Sequence, residues 1–195
     1  MVDTVIVRDD DPRCSELEAD GYEIVGRSWG ARLRLAEQPD LTLLHRMVAR
    51  AEAAGVVIRE LDASFAQALF DLEDANNADY PYTPATHQAP PVLTSIEALW
   101  SDGKRVFGAL ADGRLIAAVV AEVNAGVGDN DFASVLREYR GTGIGASVAA
   151  ASIIAFAAAG VRTFTAGGAG ENNASLGLVR SLGFVVEEQW RSYER

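Results

Sequence analysis

VLREYRGTGIGAS, from Val135 to Ser147, carries more structural information than any other stretch of this sequence. It runs from a predicted strand through a glycine-rich turn into the start of a predicted helix. Gly141, Gly143 and Gly145 allow the backbone to approach a ligand closely, because glycine has no Cβ atom. The first N–H groups of a helix have no partner within the helix, and the helix dipole attracts negative charge there. The stretch therefore predicts a phosphate site formed by backbone amides, with Arg140 nearby.

The glycine spacing excludes two widespread phosphate-binding motifs. A P-loop requires Gly-Lys-Ser/Thr after the turn, and this turn has no such tripeptide. A dinucleotide-binding fingerprint requires Gly-x-Gly-x-x-Gly, whereas this chain has Gly141-x-Gly143-x-Gly145. We therefore expect a diphosphate that is held in another way.

Outside this stretch, strand and helix patterns alternate, as in α/β and α+β proteins. Strands are predicted at 56–61, 105–110, 115–123, 131–136, 161–167 and 184–194, and helices at 64–75, 92–100 and 172–182. Asp112-Gly113 predicts a hairpin between two of these strands. The uncharged run 141–161 is about as long as a membrane span, but small residues dominate it, so we expect a helix buried by other protein.

Two motifs in the second half resemble those of a known family. Arg140-Gly-Thr-Gly143-Ile-Gly145 matches the pattern Arg/Gln-x-x-Gly-x-Gly/Ala, and ENNASLGLVRSLGF, residues 171–184, matches an asparagine followed by a helix that ends in Leu-Gly-Phe. This pair of motifs resembles the GNAT superfamily of acyl-CoA N-acyltransferases. The resemblance covers roughly residues 55–195 and implies a mixed, mostly antiparallel central sheet flanked by helices.

Residues 1–54 form a predicted N-terminal α/β extension, and residues 55–195 form the GNAT-like domain. DGYEIVGRSW, residues 20–29, faintly echoes LGFVVEEQW, residues 182–190. Two interpretations stay open. The extension is either a degenerate half-repeat or a segment packed on the main domain.

The resemblance implies acetyl-CoA as the cofactor. Its pyrophosphate would contact the backbone of the glycine turn, with Ser147 close by, at Arg140, Gly141, Thr142, Gly143, Ile144, Gly145 and Ala146. The pantetheine arm and the thioester would lie along Ala133, Ser134 and Val135. Asn172 or Asn173 matches the cofactor-facing asparagine of the family, although one of the two is also expected to cap the following helix.

Acyl transfer to an amine requires a base for the ammonium group, a donor for the oxyanion and a proton for the thiolate. The family resemblance makes Asp131 or Asp129 the candidate base, and Glu122 is a third candidate. If the strand is unbroken, alternation places Asp129 and Asp131 on the same face as Ala133 and Val135. Asp129 as a turn residue and Glu122 as a solvated charge are the alternatives. A backbone N–H near Val135 is expected to bind the oxyanion.

The proton donor is the step at which this sequence departs from the family. Many members use a tyrosine in the second motif, and the matching residue here is Val179. Tyr193 and Ser175 are candidate replacements, or the thiolate leaves unaided. Two functions follow. The chain is either an acetyl-CoA-dependent N-acetyltransferase or a domain that binds acyl-CoA without turning it over.

Charge and cysteine content limit the partners. Seventeen Lys and Arg against 28 Asp and Glu give the 195-residue chain a net charge of -11, which opposes nucleic acid and anionic membranes. No metal site is indicated. Cys14 is the only cysteine and no secretory signal is visible, so we expect a cytoplasmic protein.

The charge is concentrated in residues 60–103, which hold eight carboxylates and no Lys or Arg. In the family this region forms the acceptor side of the cleft, so a cationic amine is the expected acceptor: a polyamine, an amino sugar or a basic peptide. A solvated acidic face is the alternative. Aromatic candidates for shaping the pocket are Tyr80, Tyr82, His87 and Trp100. A homodimer is a further prediction.

Overall fold

The computed structural model describes residues 3–81, 83–86 and 89–195, and its centre is one eight-stranded sheet. The strands are β1 (Thr4–Arg8), β2 (Glu23–Arg34), β3 (Val57–Leu61), β4 (Arg105–Ala111), β5 (Arg114–Asn124), β6 (Val127–Val135), β7 (Thr163–Ala169) and β8 (Val185–Glu194). The helices are α1 (Arg13–Ala19), α2 (Thr42–Ala53), α3 (Ala66–Asn76), α4 (Leu93–Ser101), α5 (Ile144–Ala158) and α6 (Asn173–Ser181).

The order of strands in the sheet is β1-β8-β2-β7-β6-β5-β4-β3. Neighbouring strands are antiparallel except β6 and β7, which are parallel. The predicted fold class, a mixed and mostly antiparallel sheet flanked by helices, is therefore confirmed.

Helix α5 is the buried helix that the uncharged run predicted. It packs against α2 and against β5 and β6, and Val148 and Ile153 are fully buried. Small residues on this helix bring its backbone close to its neighbours, which explains a composition rich in alanine. Among the residues that the structure describes, no helix combines the length and the apolar character that crossing a membrane requires.

The N-terminal segment contributes two strands to the same sheet. β2 lies between β7 and β8, and β1 pairs with the outer side of β8. The unit β1-α1-β2 thus interlocks with the unit β7-α6-β8, because each places a strand between the two strands of the other. This arrangement agrees with the echo between residues 20–29 and 182–190, while the half-repeat and the boundary at residue 54 stay predictions.

The parallel pair β6–β7 is short, and this creates the site. The strands pair at Val127–Thr163, Gly128–Phe164 and Asp129–Thr165, and no pairing follows. Beyond Asp129 the two strands diverge, so the β7-facing backbone edge of β6 borders an opening in the sheet. Glycine at 128 permits the close approach before the divergence, since a Cβ there would lie 2.6 Å from the Phe164 ring.

Candidate active site

The opening between β6 and β7 leads into a cleft of about 990 Å³. Twelve of the predicted site residues line it: Asp129, Asp131, Ala133, Ser134, Val135, Arg140, Gly141, Gly143, Ile144, Gly145, Ala146 and Asn172. Four predicted residues are not in its lining: Glu122, Thr142, Ser147 and Asn173. The structure therefore brings the glycine turn, the divergent strand and the start of α6 together around one cavity.

The glycine turn has the conformation that its sequence predicts. Gly141 (φ 74°) and Gly143 (φ 90°) are left-handed, a region that other residues enter only with strain. Gly143 is the N-cap of α5, and no side chain caps this helix. The N–H of Ser147 already bonds to the carbonyl of Gly143, so the unpaired donors are those of the preceding residues, which line the cleft. Unpaired backbone donors at the start of a helix can bind an anion.

The strand β6 presents backbone donors to the same cleft. The carbonyl of Ala133 accepts a hydrogen bond from the Tyr80 hydroxyl (3.2 Å), and the carbonyl of Val135 accepts one from Arg140 Nε (3.0 Å). Both carbonyls therefore point away from β5. In an antiparallel strand the N–H of a residue points to the same side as its carbonyl. The N–H groups of Ala133 and Val135 consequently face the opening.

A β-bulge interrupts β6, so the unbroken strand that the predicted shared face requires is not present, and Asp129 does not share the face of Ala133 and Val135. Val120 of β5 pairs with Phe132 and Ala121 pairs with Asn130, which leaves Asp131 as an extra residue. An extra residue reverses the alternation beyond it. Asn130 therefore shares a face with Ala133 and Val135. Asp129 instead shares the face of its β5 partner Glu122 and of Ser134.

The three candidate bases have different partners. Asp129 accepts a hydrogen bond from the Thr165 hydroxyl (2.6 Å). Asp131 forms an ion pair with Lys104, and a Glu122 oxygen lies 4.0 Å from the same ammonium group. Of the two cleft-lining candidates, Asp129 is the one for which the described residues provide no cation within ion-pair distance.

The Arg140 side chain is bound to the end of α3 rather than free beside the turn. Its guanidinium donates to Asn76 Oδ1 (2.6 Å) and lies 2.7 Å from Asp79 Oδ2. Hydrogen bonds from Arg140 and Arg137 lower the pKa of the Asp79 carboxyl. The positive charge near the turn is thus already compensated.

Three other predicted residues have mainly structural contacts. Ser147 is buried and donates to the carbonyl of Met47, which links α5 to α2 (2.9 Å). The Thr142 hydroxyl donates to the carbonyl of Tyr139 (2.6 Å). Asn172 caps α6 by accepting a hydrogen bond from the backbone N–H of Ser175 (3.0 Å), and Asn172 also lines the cleft.

A buried polar cluster lies beside β6, and our sequence predictions missed most of it. Asn76 Nδ2 donates to Ser134 Oγ (2.8 Å), the Tyr80 hydroxyl donates to the Ala133 carbonyl (3.2 Å), and Glu73 Oε1 has no hydrogen-bond partner among the described residues. Glu73 is 6% exposed, and burial raises its pKa to about 7, partly offset by Ser134. Burial also raises the pKa of Tyr80 to about 12. The spacing of Glu73 and Asn76 from buried Leu69 is the signal that could have revealed them.

The candidate proton donors differ in whether they line the cleft. Tyr193 is fully buried below α1, where its hydroxyl donates to Glu18 (2.9 Å), so its proposal as a replacement donor is wrong. Ser175, Val179 and Tyr80 all line the cleft. Tyr82 and His87 lie outside the described residues. Trp100 does not line the cleft and donates to the carbonyl of Leu61 (2.8 Å).

The acidic stretch 60–103 contributes little to the cleft. Of its eight carboxylates, Asp79 alone is in the described lining, and it is bound by two arginines. Glu60 binds Arg105. The cleft carboxylates without an arginine partner are instead Asp129 and Asp131 of β6. Within the described part of the chain, no group of three or more His, Cys, Asp or Glu could hold a metal ion.

Comparison with known proteins agrees with this geometry. The model of the acetyltransferase (GNAT) family matches residues 69–184, more than half of the chain. No curated protein matches the sequence.

Three solved structures are similar in fold. A GCN5-related N-acetyltransferase from Sphaerobacter thermophilus superposes with a TM-score of 0.77 and 16% identity, over 100% of this chain and 59% of that one. The glucosamine N-acetyltransferase region of a fungal GH3 β-N-acetylglucosaminidase superposes with a TM-score of 0.70 and 16% identity, over 97% of this chain and 24% of that one. A phosphinothricin acetyltransferase from Sinorhizobium meliloti, in complex with acetyl-CoA, superposes with a TM-score of 0.59 and 18% identity, over 72% of this chain and 87% of that one. This chain thus spans 59% of the length of the Sphaerobacter protein.

Proposed function

The chain belongs to the GNAT acetyltransferase family, and we propose that it transfers an acetyl group from acetyl-CoA directly to a primary amine of a cationic small molecule or basic peptide. The observation that carries this proposal is the convergence of two sets of backbone donors on one cleft. The unpaired N–H groups at the start of α5 and those of Ala133 and Val135 border the same opening.

The residues present fit coenzyme A. A diphosphate would bind the amides at the start of α5, where nothing lies within 4 Å of the Cβ positions of Gly141 and Gly143. The N–H groups of Ala133 and Val135 would bind the pantetheine arm in the manner of a neighbouring strand. Acetyl-CoA supplies the activated acetyl group, and the N–H near Val135 is the donor for the oxyanion.

Asp129 is the group that we assign to the first deprotonation. It lines the cleft, it is held by the Thr165 hydroxyl, and it is not compensated by a cation as Asp131 is. An alkylammonium group must lose a proton before it can attack, directly or through water. Asp129 would both attract the ammonium group and accept that proton.

We assign Tyr80 as the proton donor to the leaving thiolate, because Val179 stands where many members of the family have a tyrosine. Its hydroxyl donates a hydrogen bond to the Ala133 carbonyl, beside the proposed path of the thioester. With a pKa of about 12, it keeps its proton throughout the neutral range. Ser175 also lines the cleft and is the second candidate.

The cationic acceptor is supported by the charges in the cleft. Its described lining contains the carboxylates of Asp79, Asp129 and Asp131 and one cation, Arg140, which is bound to Asp79. The homodimer and the cytoplasmic location stay predictions. Sedimentation of the purified chain would test the first of them.

The test is to incubate a panel of amines with acetyl-CoA and the protein. Turnover is measured as release of free thiol, and the product is identified by its mass. Polyamines, glucosamine and a lysine-rich peptide represent the cationic classes. Asp129→Asn should lose turnover, whereas the exposed Asp102→Asn should not. Val179 favours one other outcome, a domain that binds acyl-CoA only, and tight binding without acetylation of any amine would establish it.

A further inference from the structure

The cleft continues well beyond the proposed base, toward the outer strands of the sheet. We call this part of it the distal groove. Its described lining includes Ile6 of β1, Ser28 of β2, Gly167 and Ala169 of β7, Trp190 of β8, and Pro81, Ala85 and Thr86 from the segment that follows α3. The proposed binding of acetyl-CoA uses none of these residues, so the distal groove requires another occupant.

Strand registers place the distal groove on the same face of the sheet as the proposed base. Trp190 pairs with Ser28, and Ser28 pairs with Ala169. Residues directly opposite each other share a face, and so do residues four apart in one regular strand. Ala169 therefore shares a face with Thr165, whose hydroxyl donates to Asp129. Trp190 and Asp129 thus lie on one face.

The glycine turn lies against the other face. A Cβ at Gly145 would be 3.0 Å from Val135 Cγ2, so Val135 faces α5. The preceding residue, Ser134, faces α3, since Asn76 donates to it (2.8 Å). The proposed diphosphate site and the distal groove are consequently on opposite faces, and they meet at the opening between β6 and β7. The distal groove is therefore on the side from which an acceptor would approach the thioester.

The segment after α3 forms the wall of the distal groove. A Cβ at Gly26 would lie 3.0 Å from the Thr83 side chain and 3.3 Å from that of Pro84, so this segment rests on β2 close to Ser28. Thr83 is buried, and its hydroxyl is hydrogen-bonded to that of Thr86 (2.6 Å). The strands thus form the floor, and this segment stands beside it.

The distal groove is too long for a small amine. Strand β8 is the third strand from β6, and Ala169, which is level with Trp190, lies four residues beyond Thr165. With strands about 4.8 Å apart and a rise of about 3.3 Å per residue, the Cα atoms of Asp129 and Trp190 are about 20 Å apart. A single sugar ring bound at Asp129 would not reach Trp190. An extended peptide covers the distance in about six residues.

The two ends of the cleft differ in charge. The lining near the opening carries the two carboxylates of β6. The described lining of the distal groove has no charged side chain, and it presents the half-buried Trp190 indole and Ile6, which is 41% exposed. Arg8, the partner of Trp190 on β1, forms an ion pair with Asp10. An indole in an uncharged groove is suited to an apolar or aromatic side chain.

We propose that the acceptor is a polypeptide and that Trp190 binds an apolar or aromatic side chain about six residues from the acetylated amine. The proposal rests on the proposed function and selects the peptide among its acceptor classes. Asp129 attracts the ammonium group at one end, and Trp190 selects the sequence at the other. The N-terminal strands β1 and β2 then serve acceptor binding, since they supply Ile6 and Ser28 to the same groove.

Peptides with a shifted phenylalanine test this spacing. Eight-residue peptides of serine and glycine carry one phenylalanine at each position from the second to the eighth. Their only free amine is the N-terminus in one series and the side chain of a first-position lysine in the other. In wild type, kcat/KM should be highest with phenylalanine at the sixth or seventh position, about tenfold above the second position and mainly through KM.

Variants of Trp190 test the contact itself. Trp190→Ala should reduce the tenfold ratio to about one, and Trp190→Phe should retain most of it, because the aromatic face is kept. The control Val185→Ala, at an exposed position of β8 outside the cleft lining, should leave the ratio unchanged. Thermal unfolding checks the fold of each variant. A wild-type ratio near one, or a ratio that survives in Trp190→Ala, would overturn the proposal.

Failure of the proposed function has a different result. If wild type acetylates glucosamine or a polyamine but no peptide, the proposed function stands and the polypeptide acceptor is overturned. If wild type acetylates no amine, the proposed function fails, and calorimetric titration of the same peptides tests the distal groove. Tighter binding with phenylalanine at the sixth or seventh position, lost in Trp190→Ala, supports the groove, and equal affinities in wild type overturn it.

Discussion

The buried carboxyl of Glu73 should make the fold less stable as pH rises through the weakly acidic range. Burial favours the neutral form, so the pKa of Glu73 rises from 4.5 in the unfolded chain to about 7 in the folded one. Below pH 4.5 both states carry the proton. Between these two values the unfolded chain ionises first, so the free energy of unfolding decreases, and above about pH 7 the loss is complete.

The size of this effect follows from the two pKa values. A rise from 4.5 to about 7 corresponds to about 3 kcal/mol, at 1.36 kcal/mol for each unit. Glu73→Gln removes the titrating group, so its free energy of unfolding should lack this loss. For a chain of this size, 1 kcal/mol changes Tm by about 2–4 °C. Relative to wild type, Glu73→Gln should therefore gain about 6–12 °C between acidic and mildly alkaline pH.

Urea unfolding of wild type and Glu73→Gln between about pH 4 and pH 8.5 measures this directly. The difference between the two free energies is the useful quantity, because all other titrations cancel in it. A poorly bonded glutamine amide would shift that difference by a constant but would not change its pH dependence. Asp74→Asn, exposed on the same helix, should give a difference with no such step. A flat difference for Glu73→Gln would mean that Glu73 ionises normally and would refute the predicted effect of burial on its pKa.

Three further predictions concern the cleft. Gly143→Ala places a Cβ on a residue with φ 90°, so it should cost about 1–2 kcal/mol of stability and weaken acetyl-CoA binding, measured by calorimetry. Asp129→Asn should reduce kcat/KM for the amine about 10²–10⁴-fold, with cofactor affinity unchanged; wild-type turnover in this variant would exclude Asp129 as the base. Added salt should weaken turnover of a cationic amine more than that of a neutral one, and equal responses would contradict an electrostatic acceptor site.

The sequence predicted those parts of the fold that local sequence patterns determine. The strand, glycine turn and helix of 135–147 depend on neighbouring residues, and the Asp112-Gly113 hairpin joins strands that are adjacent in the chain. The position of β2 between β7 and β8 depends on pairing with residues more than 100 positions away. The bulge at Asp131 depends in the same way on register with β5. The sequence of β6 alone does not indicate the bulge.

The charge pattern shows the same limit at the site. Counting residues 60–103 located most of the negative charge correctly, but a count does not reveal partners. Asp79 meets Arg137 and Arg140, and Glu60 meets Arg105, all from later parts of the chain. Among the described residues, the cleft-lining carboxylate with no cation within ion-pair distance is thus Asp129, from outside that stretch. The case for a cationic acceptor now depends on one strand.

The contacts of Arg140 support our proposal that backbone amides, rather than this side chain, bind the diphosphate at the glycine turn. Its guanidinium joins the Val135 carbonyl, at the end of β6, to Asn76 and Asp79 at the end of α3. A charge shared in this way is largely neutralised before any diphosphate binds, so the attraction for the anion must come from the free N–H groups and dipole of α5. The same contacts fix the end of α3 against β6, and Asn76 in turn holds Ser134 (2.8 Å). Arg140 therefore connects the start of α5, where we propose that the diphosphate binds, to the Asn76–Ser134 pair beside the proposed path of the thioester.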